Sequence, residues 1–152
     1  MPSVIILCTD GSALSIQAVT HGLSVLAPVD TVMVVSVVDE IDMSLSQDVS
    51  GHASAVFTED ELHARRAAAL AEGQDAVERT AAELSGANVE TRVVAGSPGQ
   101  VICELAAQVD AAAIVIGSRG RGGVKRALLG SVSDFVVRNA QCPVVVDRAG
   151  SG

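Results

Sequence analysis

The residues best suited to bind an anion lie together at 117–131, in GSRGRGGVKRALLGS. Arg119, Arg121, Lys125 and Arg126 place four of the chain's ten Lys and Arg there, in a protein of net charge -8. Gly117, Gly120 and Gly130 would let phosphate oxygens approach the backbone with no Cβ in the way. Gly130 and Ser131 open a helical pattern, and a helix N-terminus offers unsatisfied amides and the positive end of its dipole. The chemistry that suits these residues is the cradling of a polyphosphate. The stretch is not a P-loop, because no Gly-Lys-Ser/Thr follows Gly117 at the required spacing. It is not a dinucleotide fingerprint either, because Lys125 stands where a third Gly is needed.

Other chemistries have little to work with. The three cysteines, Cys8, Cys103 and Cys142, are odd in number and far apart in sequence, with no C-x-x-C. They read as buried free thiols of a reducing compartment, and a cytoplasmic protein is expected. His21, His52 and His63 have no second ligand at metal spacing, so no metal site is expected. The acidic balance, with no Trp and no Tyr, argues against nucleic-acid binding. No apolar run approaches the roughly 20 residues of a membrane span. The opening MPSVIILCTDGS has neither the basic flank nor the cleavage site of a signal peptide.

The elements that must position the glycine stretch follow from hydrophobic patterning. The runs 4–9, 31–38, 89–95, 112–117 and 143–147 read as strands. Four are almost continuously apolar, as strands buried on both faces must be. The run 89–95 alternates, which places it towards a sheet edge. Helical patterns lie between them. One starts at Ser12 as N-cap, with Ile16, Val19, Leu23 and Leu26 at helical spacing. A long Ala-rich one runs from Glu59 to Leu84, with Leu70, Val77 and Leu84 on one face. A third opens with Ser97, Pro98 and Gln100 as a capping box with proline at the first helical position. The last opens at Ser131, read as its N-cap with Asp134 at the third helical position. Residues 39–58 are polar and without period, a long loop.

Strand and helix alternate four times before a last strand. That order gives an α/β fold, a single Rossmann-like domain over residues 1–148 with a short tail at 149–152. Ligands in such sheets sit beyond the carboxyl ends of the strands, where strand order reverses. TDGS (9–12) and the glycine stretch line one crevice if the first and fourth strands are neighbours. The expected five-stranded parallel sheet then has the order 3-2-1-4-5, with helices on both faces. The loop beginning at Val38 and Asp39 flanks the crevice.

With these residues in place, the chain resembles the universal stress proteins, in particular their ATP-binding branch. That branch carries Gly-x2-Gly-x9-Gly-Ser/Thr, and Gly117, Gly120, Gly130 and Ser131 match it in full. TDGS, ALLGSVS and CPVVVDR extend the resemblance over essentially the whole chain. The resemblance implies ATP, with or without Mg2+, at the switch point. By position it implies Thr9 near the adenine, Asp10 on the ribose and the Val38 backbone at the adenine edge. Gly117, Gly120, Gly130, Ser131 and Ser133 would surround ribose and phosphates, with Val132 supplying an amide. A phosphate role for Arg119 and Arg121 follows from their charge, since both occupy variable positions of the motif. The resemblance also implies a homodimer through the last strand, an apolar edge open to pairing.

No His, Glu or Gln lies in or beside the glycine stretch to orient a water. No catalytic residue is assigned, and the nucleotide is expected to be a structural or regulatory ligand, hydrolysed slowly at most. Three other readings have requirements of their own. An ATP-pyrophosphatase would need a Ser-Gly-Gly-x-Asp-Ser type loop after the first strand. A phospho-receiver would need an acceptor Asp after the third, where VVAGSPG stands. A dimeric interaction scaffold of the same family would leave the crevice empty.

Overall fold

The computed structural model describes residues 3–40, 57–118 and 129–148. Strands β1 (Val4–Cys8), β2 (Thr31–Asp39), β3 (Asn88–Gly96), β4 (Ala113–Gly117) and β5 (Val144–Asp147) form one sheet. Its order is β3-β2-β1-β4-β5 and every pairing is parallel, as expected. The alternating run became edge strand β3, and the apolar runs of β1, β2 and β4 fill the centre.

Side chains alternate across a strand, so each central strand feeds two cores. Ile5 and Leu7 of β1 face one way and pack with Val19 of α1 (Ala13–Ser24) and Val77 of α2 (Glu59–Ala82). Ile6 and Cys8 face the other way and pack with Ile102 of α3 (Pro98–Gln108) and Val136 of α4 (Ser131–Asn139). The helices following β1 and β4 therefore lie on opposite faces. That divergence opens a crevice at the carboxyl ends of these two neighbours.

Three local expectations are corrected. Leu70 does not join the α2 core face but is exposed, because α2 meets the sheet only from Gly73 onward. Gly73 itself is pressed so close that a Cβ would lie 2.7 Å from Val93 Cγ1 and 3.3 Å from Val38 Cγ2. Ser97 precedes α3 with Pro98 in the first turn, but its hydroxyl caps nothing. Its ψ of 116° differs from 153° at Ser12 and 159° at Thr58, which both cap, and swings the hydroxyl off the helix amides. Gln100 reaches forward to Glu104 instead, at 2.9 Å. The capping box lies on α2, where Thr58 and Glu61 bond each other's backbone amides at 3.2 and 3.0 Å. The third correction concerns α4 and bears on the crevice.

Candidate functional site

The loop after β1 turns tightly. Gly11 has φ +79°, and a Cβ there would lie 2.7 Å from Ala76 Cβ and 2.9 Å from an Arg79 guanidinium nitrogen. Glycine is required both for the left-handed backbone and for the close approach of α2. Thr9 is buried, and its amide extends the sheet by donating to the Val35 carbonyl at 2.9 Å. Its hydroxyl accepts from the Gly11 amide at 3.1 Å. Ser12 caps α1 by accepting from the Ser15 amide at 3.1 Å.

Asp10 sits between these anchors. Its amide donates to Ser15 Oγ at 3.2 Å, and its Oδ1 accepts from the Ser12 amide at 2.8 Å. Its other carboxylate oxygen, Oδ2, is buried with no hydrogen-bond partner among the described residues. A buried acceptor left unsatisfied is costly, more so when it carries charge. The loop thus fixes one carboxylate oxygen and leaves the other in need of a donor.

Across the crevice, β4 ends at Gly117, paired with Asp147 of β5. The next residue, Ser118, donates its amide to the Asp147 carbonyl at 2.8 Å and accepts from the Gly130 amide at 2.7 Å. Gly117 and Gly130, 13 positions apart in sequence, are thereby brought to one place. Gly130, not Ser131, is the N-cap of α4, with φ -73° and ψ 167°. The physical reason is the bond to Ser118: a Cβ on Gly130 would lie 3.1 Å from the Ser118 carbonyl oxygen. Ser131 moves into the first helical position. Asp134 is not its capping partner but an ion-pair partner of Arg138, at 3.0 Å.

Among the described residues no side chain caps α4. The first intrahelical bond runs from the Asp134 amide to the Gly130 carbonyl at 2.9 Å, so the amides of Ser131, Val132 and Ser133 precede the helical ladder. Such amides, at the positive end of the dipole, are suited to an anion. Ser131 is exposed there, whereas Ser133 is buried and turns its hydroxyl back to the Gly130 carbonyl at 3.1 Å. Val38 lies near the end of β2, buried and paired with Ala95. Arg119, Gly120, Arg121, Lys125 and Arg126 lie outside the described residues.

The fold gathers what the sequence scattered among the cysteines. Cys8 belongs to the α3/α4-side core, and Cys103 and Cys142 pack against it. All three are free. Burial pushes the Cys8 thiol up to about 12, and burial likewise raises Cys103 and Cys142. Thiols so raised are poor nucleophiles. Among the described residues no group of His, Cys, Asp and Glu could hold a metal ion. No helix there is long and apolar enough to cross a membrane.

Sequence reasoning missed Ser118, Ser15 and Thr80. Ser118 occupies a variable position of the glycine motif. Ser15 and Thr80 carry no local signal, since their roles depend on contacts with the loop after β1.

Comparison with known proteins places this geometry in context. The model described as the universal stress protein family matches residues 1–148. Universal stress protein MJ0531 of Methanocaldococcus jannaschii is 31% identical over 144 residues, covering 93% of this chain and 79% of that protein. Among solved structures, hypothetical protein MJ0577 superposes with a TM-score of 0.79 at 24% identity, over 100% of this chain and 99% of the other. The Arabidopsis thaliana protein At3g01520, solved with AMP bound, superposes with a TM-score of 0.64 at 18% identity, over 99% and 94% of the two chains.

Proposed function

The chain belongs to the universal stress protein family, and we propose that its crevice binds an adenine nucleotide as a structural or regulatory ligand. The observation that carries this reading is Asp10. Its Oδ2 is buried without a partner among the described residues, and a ribose hydroxyl is a donor of the right kind for it. The uncapped N-terminus of α4 lies across the same crevice and suits the phosphates. Thr9 and the Val38 backbone would hold the adenine. Gly117, Arg119, Gly120, Gly130, Ser131, Val132 and Ser133 would hold ribose and phosphates. The ligand proposed is ATP, with or without Mg2+, and AMP bound to the Arabidopsis protein of the same fold is in keeping with an adenine nucleotide.

The role proposed is binding rather than turnover. Hydrolysis needs a group to orient the attacking water. Asp134, the carboxylate nearest the glycine motif in sequence, is engaged by Arg138. Any ATPase activity is slow, and the protein acts in the cytoplasm as a homodimer joined through β5.

Denaturing the purified protein and chromatographing the released small molecules tests the reading. Adenine nucleotide approaching one per chain is expected, or saturable uptake of added ATP if the ligand is lost during purification. Protein that releases none and binds none of ATP, ADP, AMP or cyclic AMP would favour the empty scaffold.

A further inference from the structure

A chain of buried hydroxyls runs from the loop after β1 into α2. Thr9, Ser15 and Thr80 are 6%, 5% and 0% exposed. Thr80 Oγ1 lies 2.8 Å from the Ala76 carbonyl oxygen and 2.9 Å from Thr9 Oγ1. A hydroxyl has one proton, and a carbonyl can only accept. Thr80 therefore gives its proton to Ala76, the usual bond of a helical Thr to the carbonyl four residues back. Thr9 then supplies the proton shared with Thr80. Having spent it, Thr9 Oγ1 accepts from the Gly11 amide at 3.1 Å and from the Ser15 hydroxyl at 3.4 Å. Ser15 Oγ in turn accepts from the Asp10 amide at 3.2 Å. Each donor in this sequence has one acceptor, and each proton points towards α2.

We infer that Thr80 and Ser15 are positioning residues for the nucleotide: Thr80 acts through Thr9, and Ser15, itself bonded to Thr9, holds the Asp10 amide directly. This rests on the nucleotide reading above and deepens it. The relay fixes the backbone of Asp10 and Gly11 from the buried side. The Ser12 amide fixes Oδ1. What remains is one carboxylate oxygen, Oδ2, held in a single orientation for a ribose hydroxyl. Preorganisation of this kind reduces the ordering cost that binding must otherwise meet. Neither Thr80 nor Ser15 needs to touch the ligand.

The test compares wild type, Thr80→Val, Thr80→Ser and Ser15→Ala. Each is titrated with ATP and with 2′,3′-dideoxy-ATP, which lacks both ribose hydroxyls. Amide exchange at Asp10 and Gly11 is followed without nucleotide. Thr80→Val keeps shape and removes the hydroxyl. It should weaken ATP binding about 3- to 10-fold, the range for one hydrogen bond, and shrink the preference for ATP over the dideoxy analogue. Exchange at Asp10 and Gly11 should accelerate. Thr80→Ser restores the hydroxyl and should restore all three. Ser15→Ala improves helix propensity and should show the same losses, so it carries the test if Thr80→Val does not fold. A folded Thr80→Val or Ser15→Ala protein with wild-type affinity and wild-type preference overturns the inference. A wild type that binds no ATP overturns the nucleotide reading instead. The exchange rates then decide alone, and unchanged rates at Asp10 and Gly11 in the folded variants overturn the relay.

Discussion

The amide of Gly130 donates to the carbonyl of Ser118 across 2.7 Å, tying the start of α4 to the end of β4. This one bond brings together the two ends of the glycine motif. It also makes Gly130 the helix cap, and among the described residues no side chain caps the α4 amides. Gly130→Val would drive a branched side chain at the Ser118 carbonyl, which is 3.1 Å from the missing Cβ. We expect a stability loss of about 1–3 kcal/mol, typical of overpacking, and loss of most ATP binding. Adenosine, which has no phosphate, should bind the folded variant nearly as it binds wild type. Calorimetric titration with both ligands checks this.

Arg119→Ala and Arg121→Ala should behave differently from Gly130→Val. Removing a screened positive charge should cost ATP binding on the order of 1 kcal/mol, and the loss should shrink as salt rises. The Gly130→Val defect is steric and should persist at all salt concentrations. Titrations at low and high salt separate the two.

Alkaline pH should destabilise the fold through Cys8. Burial raises its thiol from 9.0 in a model compound to about 12 in the folded chain. The folded state therefore holds this proton to higher pH than the unfolded state does. The stabilisation is complete below pH 9 and is lost as pH rises from about 9 towards 12. The chain has no Tyr and Lys125 is its single Lys, so Cys103 and Cys142, also raised by burial, are the main other side chains that titrate there. Urea midpoints should fall between pH 8 and about 11 in wild type, and the fall should be smaller in Cys8→Ala.

A single proline should separate dimerisation from folding. The Pro143 and Asp147 carbonyls accept from Ile114 and Ser118 at 2.9 and 2.8 Å. The backbone groups of these residues therefore face β4, and those of Val144 and Val146 face the open edge. Val146→Pro removes an edge donor without touching the ladder to β4. Sedimentation should show dimeric wild type and monomeric Val146→Pro with unchanged circular dichroism. A monomeric wild type at micromolar concentration would rule out the β5 interface.

The sheet was legible because burial on both faces leaves a mark on composition. Three of the four continuous apolar runs became the central strands β1, β2 and β4, the fourth became the half-buried edge strand β5, and the alternating run became the edge strand β3. Ser12 was legible as a cap because capping there is local. Ser97 and Ser131 were not, because ψ at Ser97 and the demand of Ser118 on Gly130 are set by the rest of the fold. Thr58 and Glu61 carried the capping-box spacing across the join between the aperiodic stretch and the helical pattern that follows it. The glycine motif and Asp10 could be read as a crevice once the strand order was inferred. Thr80 could not be assigned to it, since it lies 71 residues from Thr9 and nothing in its neighbours points there.

Titration of wild type and Asp10→Ala with ATP and 2′,3′-dideoxy-ATP is the most direct measurement of the central claim. If Asp10 Oδ2 accepts from the ribose, the substitution should cost about 1.5–3 kcal/mol of ATP affinity, the range for a hydrogen bond to a charged group. Wild type should prefer ATP to the dideoxy analogue by a similar margin, and Asp10→Ala should bind the two alike, with its circular dichroism unchanged. Equal preference for ATP in both proteins, or no binding of ATP by wild type, would contradict it.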